Sequence, residues 1–532
     1  MSWQHLDQTW HYVEKWAAAK PGAEAIVFGD ERVTWAGFKQ AMDRAAKAFL
    51  AAGVQPGDRV AMLAMARTEF PVTFMAAGKI GAMWLGLSPK FTLDELRFIV
   101  NDARPAVLVT LGQYQGKDLG PTVGTLMAEC DFLKKVLVIG GGVQGAEDYA
   151  AWVGRERSEF DPVLADRAAA VGAGDEALLM YTSGSTGKPK GVVHTHRSIV
   201  ANIRVEIEKF YWKDSARVLL HFPINHVAAD VEIGFGAIMS GACMVLMDRF
   251  DPAGTLAMIP REKLTALGQI PAMFLMEFKD PAFFQTDLSS IESFLWAGSA
   301  APQIMVDVLD QICRQTGASL ITGYGSTETC GFVTYTEKGD GRQRLLHSAG
   351  RIAPPFELKI VDEGRRSLPD GQVGEIAVRG AFLMKGYFNN PAATAAVIDA
   401  EGWYYTGDLA SRDAEGYITI AGRRSEMFKS GGENVYPREV EELIETHPAV
   451  LFAAVIAVPD ALFQEVGWAW VMLLPGQAVS EEELRALCKE KLANFKVPKR
   501  FFIRPQVPML ASGKIDKLAL KKEAGALLTE KD

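Results

Sequence analysis

The sequence predicts an α/β chain: a large N-terminal multi-subdomain α/β domain with a β-rich subdomain, followed by a small mobile C-terminal α+β domain. Three observations predict it. Residues 24–220 alternate short apolar runs with longer amphipathic ones, the mark of parallel strands covered by helices. From 350 to 423 short strand-like runs are parted by Gly, Pro and Asp turns. After Gly422 the pattern changes again, to helices and strands that close a compact unit.

Each element has its signal. "AEAIVF", "RVAMLA" and "AVLVTL" read as strands, and "WAGFKQAMDRAAKAFLAAG" as an amphipathic helix ending at Gly53. "VEIGFGAIMSGACMVLM" carries Glu232 and several glycines, so it reads as a buried core helix running into a strand and not as a membrane span. "FELKIVDEG", "GEIAVRG" and "GYITIAG" are the strands of the β-rich part. In the last unit, "YPREVEELIETHP" is a helix with Pro437 near its first position. "LFAAVIAVP" and "GWAWVMLLP" are strands, and Ser480 with Glu483 forms a capping box. The two domains are set at 1–423 and 424–532.

A chain of 532 residues has room for more than one core. Its net charge of −9 argues against a nucleic-acid-binding body, because phosphate backbones reward basic surfaces. A small nucleotide remains compatible, since a site is locally positive inside an acidic protein. The five cysteines (Cys130, Cys243, Cys313, Cys330, Cys488) are scattered without a C-x-x-C, which suggests reduced thiols in a cytoplasm. The first residues show no secretory pattern, and no transmembrane segment is expected.

The most informative stretch is "LLMYTSGSTGKPKGVVHTH" (Leu178–His196). A strand delivers a loop rich in glycine, hydroxyl and lysine at its C-terminal end, where α/β sheets place ligands. Glycines let the backbone approach a ligand closely, hydroxyls and N–H groups form an anion nest, and lysines add charge. The loop suits phosphates. It is not a Walker A loop: Thr182 stands at that motif's first glycine, and Pro189 follows the lysine where Ser or Thr is needed.

This stretch resembles the phosphate loop of the adenylate-forming (AMP-binding) superfamily, the family of acyl-CoA synthetases, adenylation domains and firefly luciferase. Four further segments resemble that family in the family's order: "GYGSTE" (Gly323–Glu328), "WYYTGDLA" (Trp403–Ala410), "GRRSEMFKSGGENVYPREVE" (Gly422–Glu441) and "PMLASGK" (Pro508–Lys514). Together they span nearly the whole chain and point to the acyl-CoA synthetase branch.

The resemblance implies a two-step reaction. A small-molecule carboxylic acid attacks the α-phosphate of ATP, giving an acyl-adenylate and pyrophosphate. Coenzyme A then displaces AMP. Both steps build charge on oxygens, so positioning and fixed dipoles matter more than a nucleophile.

By resemblance, Thr182, Ser183, Gly184, Ser185, Thr186, Gly187, Lys188 and Lys190 cradle phosphates. Tyr324 stacks on adenine within Gly323–Ser326 (Gly325 between), and Gly298, Ser299, Ala300, Ala301 and Pro302 line the other face. Thr327 holds the α-phosphate, and Glu328 ligates Mg²⁺. Asp408 accepts the ribose hydroxyls, and Arg423 contacts ribose or phosphate. Lys514 bridges the two reacting anions, with His226 beside the substrate carboxylate. The expected acyl pocket is His226, Val227, Asp230, Trp296, Ala297, Gly298, Gly323, Cys330 and Gly331. Ser430, Gly431, Gly432 and Glu433 form the CoA tunnel, and Ser425 is the hinge.

Val227 stands where amino-acid-activating relatives carry an Asp for the substrate ammonium, so an α-amino acid is not expected. A medium-chain, alicyclic or aromatic acid is. Two rival readings stay open: a stand-alone adenylation enzyme that loads a carrier protein, and a non-enzymatic nucleotide-binding module. A homodimer is carried as an option. Two further patterns look like sites and are read otherwise. "GGGVQG" (Gly140–Gly145) matches a dinucleotide fingerprint but is taken as a loop, and "HTH" (His194–His196) is taken as structural.

Overall fold

The computed structural model describes residues 6–182, 189–299, 301–474, 476–509 and 515–529. Two large sheets and the helices between them make the N-terminal body. One sheet has eight strands, and its centre is parallel: Met83–Leu87, Arg59–Leu63, Val107–Leu111 and Lys135–Ile139 lie side by side. The other has nine, with a parallel centre from Glu24–Phe28 through Cys243–Leu246, Arg217–Leu220, Ala266–Gln269 and Ser293–Trp296 to Ser319–Ser326.

Both sheets bury their facing sides in one core with the helices Trp35–Ala51, Glu69–Lys79 and His196–Lys209. Trp35 and Trp84 are fully buried there; each such side chain contributes about 2–3 kcal/mol by leaving water. The far side of the nine-stranded sheet makes a second core. The alternation of a strand decides which residue goes where: Phe294 and Trp296 enter the second core, while Leu295 belongs to the first and Ala297 packs against it.

The expected core helix before Cys243 is built differently from its pattern. Ala228–Phe235 is a π-helix that passes into the α-helix Gly236–Ser240 and stops at Gly241, at φ +81°. Gly234 fits the wide turn because a Cβ there would lie 2.4 Å from the Ala229 carbonyl oxygen and 3.2 Å from Phe70. Such insertions are uncommon and gather at functional sites.

The β-rich part is a four-stranded antiparallel sheet: Glu357–Val361, Gly374–Arg379, Tyr404–Arg412 and Ile418–Arg423. The chain then enters a five-stranded sheet whose first strand is Phe428–Ser430, covered by Pro437–Glu445 and Glu481–Lys491. Pro437 opens its helix, and Ser480–Glu483 forms the capping box the sequence predicts. Leu451 of this last unit joins the second core of the large body, so the two pack together through apolar side chains. Among the described residues no helix is long and apolar enough to cross a membrane.

Candidate active site

The phosphate-type loop leaves the strand Glu176–Thr182, and the chain returns as the antiparallel strand Lys190–Thr195, with Thr182 paired to Lys190. The connection is therefore a hairpin and not a strand-to-helix turn. Ser183, Gly184, Ser185, Thr186, Gly187 and Lys188 lie outside the described residues. The loop's base is fixed. Gly191 accepts the Phe388 N–H at 2.7 Å, and the Lys190 ammonium sits 4.8 Å from the centre of the Tyr387 ring.

Tyr387 also donates its hydroxyl to Glu328 Oε1 at 3.0 Å, and the Glu328 carbonyl accepts the Met384 N–H at 2.9 Å. The expected metal carboxylate and the base of the phosphate loop thus share one tyrosine. Thr327 is held from below: its carbonyl binds His194 Nε2 at 2.7 Å and accepts the Cys330 N–H. His194 is fully buried, and burial lowers its pKa to about 4, so its ring is neutral. His194 and His196 point to different partners, the latter to Thr9 Oγ1 at 3.0 Å. No group of three His, Cys, Asp or Glu able to hold a metal occurs among the described residues. The glycines of "GGGVQG" sit in a loop at positive φ between two strands and open no helix there.

Asp408 is the hub of the nucleoside side. Its strand pairs with that of Arg423, placing the two side chains opposite each other. Asp408 Oδ2 accepts the Tyr324 hydroxyl at 2.6 Å, and Arg423 Nε lies 3.3 Å from Oδ1. The Tyr324 hydroxyl is raised well above its usual range by burial and then by Asp408, so it stays a donor. Gly323 is packed tightly: a Cβ would meet the Thr334 carbonyl at 2.0 Å. Ser326 donates its N–H to Thr329 Oγ1 at 2.7 Å, which fixes the turn before Thr327 and Glu328. Gly298 adopts φ +88° and Pro302 precedes the helix Gln303–Thr316. Ser299 is exposed, Ala301 packs against the second core, and Ala300 lies outside the described residues.

The crossover follows directly. The Arg424 N–H bonds Gly407 at 2.9 Å, and its guanidinium pairs with Glu375, which also accepts the Gly407 N–H. Ser425 is exposed between this anchor and Glu426, which pairs with Lys517 at 2.6 Å. Lys514 lies outside the described residues, but both flanks are fixed: Met509 bridges to Ile515, and Lys517 binds Glu426 and Glu441. Gly431 and Gly432 form a two-residue turn at φ +62° and +91° between paired Ser430 and Glu433. Both glycines and Glu433 are exposed, while Ser430 is buried.

The expected acyl wall divides in two. His226 is exposed at the entrance of the π-helix, where its Nδ1 accepts the Ala228 N–H at 3.2 Å. Val227 is buried beside it. Ala297 and Gly323 are half-buried on the first-core side. Trp296 points the other way, into the second core, by the strand alternation given above. Asp230 and Cys330 are fully enclosed, and neither Asp230 oxygen meets a donor. Burial raises the Asp230 carboxyl well above its usual range, and its full enclosure keeps it from being an open wall. Sequence reading missed Glu232, half-buried on the same π-helix, and Glu206, fully buried on the helix His196–Lys209. The only sequence signal was a charge inside an apolar run.

The carboxylate–tyrosine–arginine cluster at Asp408 and the hairpin base beside Glu328 and Tyr387 belong to an enzyme of the acid–thiol ligase class. The chain belongs to the AMP-binding enzyme family: the model of that family matches residues 13–388, and that of the AMP-binding enzyme C-terminal domain matches residues 439–514. The chain is 34% identical over 531 residues to the putative acyl-CoA synthetase YngI of Bacillus subtilis (strain 168), covering 96% of each. It is 33% identical over 513 residues to a feruloyl-CoA synthase of Amycolatopsis sp, covering 96% and 97%. Among solved structures, the anthranilate CoA ligase AuaEII in complex with anthranoyl-AMP superposes with a TM-score of 0.86 at 25% identity, over 98% of both chains.

Proposed function

We propose that this chain is an AMP-forming acyl-CoA synthetase that joins a carboxylic acid to coenzyme A through an acyl-adenylate, releasing pyrophosphate and then AMP. The observation that carries the reading is Asp408. Its two oxygens are engaged by Tyr324 and Arg423 at the seam where one domain's sheet ends and the other's begins. Those partners hold the carboxylate in one orientation for two vicinal hydroxyls. Arg423 also supplies positive charge at a residue next to the turning point.

The remaining roles follow from chemistry. Lys190 and the glycine–hydroxyl loop hold phosphates; Thr327, held in place through its carbonyl by His194, meets the α-phosphate. Glu328 fits Mg²⁺: it is a hard oxygen donor beside the phosphate loop, oriented by Tyr387, and one carboxylate with substrate phosphates is that ion's usual protein share. Bound there, the ion would neutralise phosphate charge. Lys514 offsets the repulsion between the acid and the α-phosphate. The unit 424–532 moves about Ser425 between the two steps, bringing Gly431 and Gly432 to the thiol arm of CoA. We place the reaction in the cytoplasm, where ATP and CoA are supplied.

For the acid, a medium-chain, alicyclic or aromatic carboxylate, the small side chains Ala228 and Ala297 and the names of the feruloyl-CoA synthase and the anthranilate CoA ligase support an aromatic one. The test is acid-dependent ATP–pyrophosphate exchange with Mg²⁺, followed by AMP release on adding CoA. Exchange without any CoA-dependent release would favour a carrier protein as acceptor; no exchange with any acid would exclude a ligase.

A further inference from the structure

Behind the expected acyl pocket two carboxyl side chains meet. Glu206 comes from the helix His196–Lys209 and is 0% exposed. Its Oε1 accepts the Phe332 N–H at 2.7 Å, and its Oε2 has no donor. Glu232 comes from the π-helix. The two converge on Gly331: a Cβ on that residue would stand 2.5 Å from Glu206 Oε1, 3.0 Å from Glu232 Cγ and 3.1 Å from Glu232 Oε1. Gly331 is at φ +120°, so both space and backbone exclude a side chain, and the carboxyls fill the place one would take.

Two buried oxygens here, Glu206 Oε2 and Asn202 Oδ1, meet no partner. One turn before Glu206, Asn202 donates its amide to the Thr329 carbonyl at 2.9 Å, which fixes its orientation and leaves its buried Oδ1 without a donor. Among the described residues no lysine, arginine or histidine forms an ion pair with Glu206 or Glu232. Burial raises Glu232 to about 8 and Glu206 well above the usual carboxyl range. A protonated carboxyl still accepts at its carbonyl oxygen, and such a buried acceptor gains when a ligand brings a donor to it.

Of the two, only Glu232 keeps some exposed surface. Along Ala228–Phe235 every residue is buried except Ala228 and Glu232, which are half-buried and four apart, one turn of this helix. They mark a single open stripe on a segment otherwise enclosed in the core. His226 stands at the start of that stripe and Glu232 six residues on, an axial reach below ~9 Å at about 1.5 Å per residue. One ring with a short linker fills that length.

We propose that Glu232, backed by Glu206, reads the far end of the acid, and that the acid accepted carries a hydrogen-bond donor, an O–H or N–H, at that end. The inference rests on the ligase reading and names the substrate class of the same site. An apolar pocket closed by a leucine would accept any acid of suitable length. A pocket closed by a carboxyl pair penalises an acid that leaves the pair unmet, because buried acceptors then lose a partner.

The experiment is kcat/KM for pyrophosphate exchange and for thioester formation with three matched acids: 4-hydroxyphenylacetate, 4-methoxyphenylacetate and phenylacetate, with 4-aminophenylacetate as the N–H counterpart. The donor-bearing acids should exceed the methoxy and unsubstituted acids by about tenfold or more. Glu232→Leu should remove or invert that preference while leaving the KM for ATP unchanged. Equal kcat/KM across the wild-type panel overturns the inference and leaves the ligase reading standing. Absence of exchange with every acid overturns both. The wild-type panel decides without any variant, and Glu232→Gln, of the same shape, serves if the leucine variant does not fold: it should retain exchange and narrow the preference.

Discussion

The proposed nucleotide side and the proposed acid side of this site are built on opposite principles. On the nucleotide side polar groups are paired: Asp408 with Tyr324 and Arg423, Glu328 with Tyr387, the Thr327 carbonyl with His194. On the acid side, Asp230, Glu206 and Asn202 carry buried oxygens that no donor meets. A ligand that never changes can be met by a preorganised surface, with the reorganisation paid in folding. A ligand that distinguishes one family member from another is met by the few residues left open, and here the open carboxyl is Glu232, with buried Glu206 behind it.

The first way to break the comparison is at the reacting atoms between the two sides. Lys514→Ala should lower acyl-adenylate formation on the order of 10²–10³-fold, the usual loss for one preorganised charge donor. Thioester formation from supplied acyl-adenylate and CoA should be unaffected. Single-turnover rates of each half-reaction decide it; equal slowing of both would mean that one closed arrangement serves both steps.

That residue also shows what a sequence makes legible. Lys514, Asp408, Glu328 and the loop after Thr182 stand out in the chain because the chemistry expected of them needs fixed residue types at short spacing. The layered α/β body, the β-rich subdomain and the capping box of Ser480 are readable because they follow local periodicity and caps. The acid side is not. Trp296 looks like a wall in the chain and becomes core because strand alternation turns it to the second cluster. Asp230 looks like a partner for a substrate and is sealed off. Glu232 becomes a wall only through the π-turn, and through a strand a hundred residues later that brings Gly331 against it. No local pattern encodes that meeting.

Next in size is Asp408→Ala. It removes the proposed ribose acceptor and leaves Arg423 and Tyr324 without their shared partner, so the KM for ATP should rise about 10–100-fold, the range for hydrogen bonds to a charged group. The KM for the acid should hold. Together with Glu232→Leu, which should move acid preference and not ATP, this makes a reciprocal pair. If either variant shifts both constants alike, the two sides are one coupled unit and the contrast fails.

Glu328→Gln should act more mildly. The amide keeps the Tyr387 hydrogen bond to its oxygen but loses the negative charge, so the Mg²⁺ concentration for half-maximal exchange should rise several-fold to about tenfold. An unchanged magnesium titration would remove Glu328 from the metal role and leave Tyr387 as a structural partner only.

The smallest expected effect isolates burial from function. Glu277 lies in the helix Pro271–Phe278, is fully buried, and accepts the Gln269 amide at 2.6 Å on Oε1 while Oε2 has no donor. Burial raises its carboxyl to about 8, partly offset by that hydrogen bond. It therefore shares the physics of Glu232 without the open stripe. A carboxyl whose folded pKa is raised contributes stability that is whole below its unfolded value near 4.5 and is lost as pH rises through about 8. Buried neutral histidines work in the opposite sense and a lower window: His194 and His196, lowered to about 4, cost stability as pH falls from 6.5. Between pH 6.5 and 8 only the carboxyl slope remains, so Tm should fall across that interval. Each such group can contribute up to about 1.4 kcal/mol per pH unit. Glu277→Gln keeps an oxygen for Gln269 and cannot ionise, so its Tm should fall less, by roughly a few degrees over the interval. Parallel Tm curves for wild type and Glu277→Gln would show that burial alone does not hold the proton, and would weaken the same argument for the pair at Gly331.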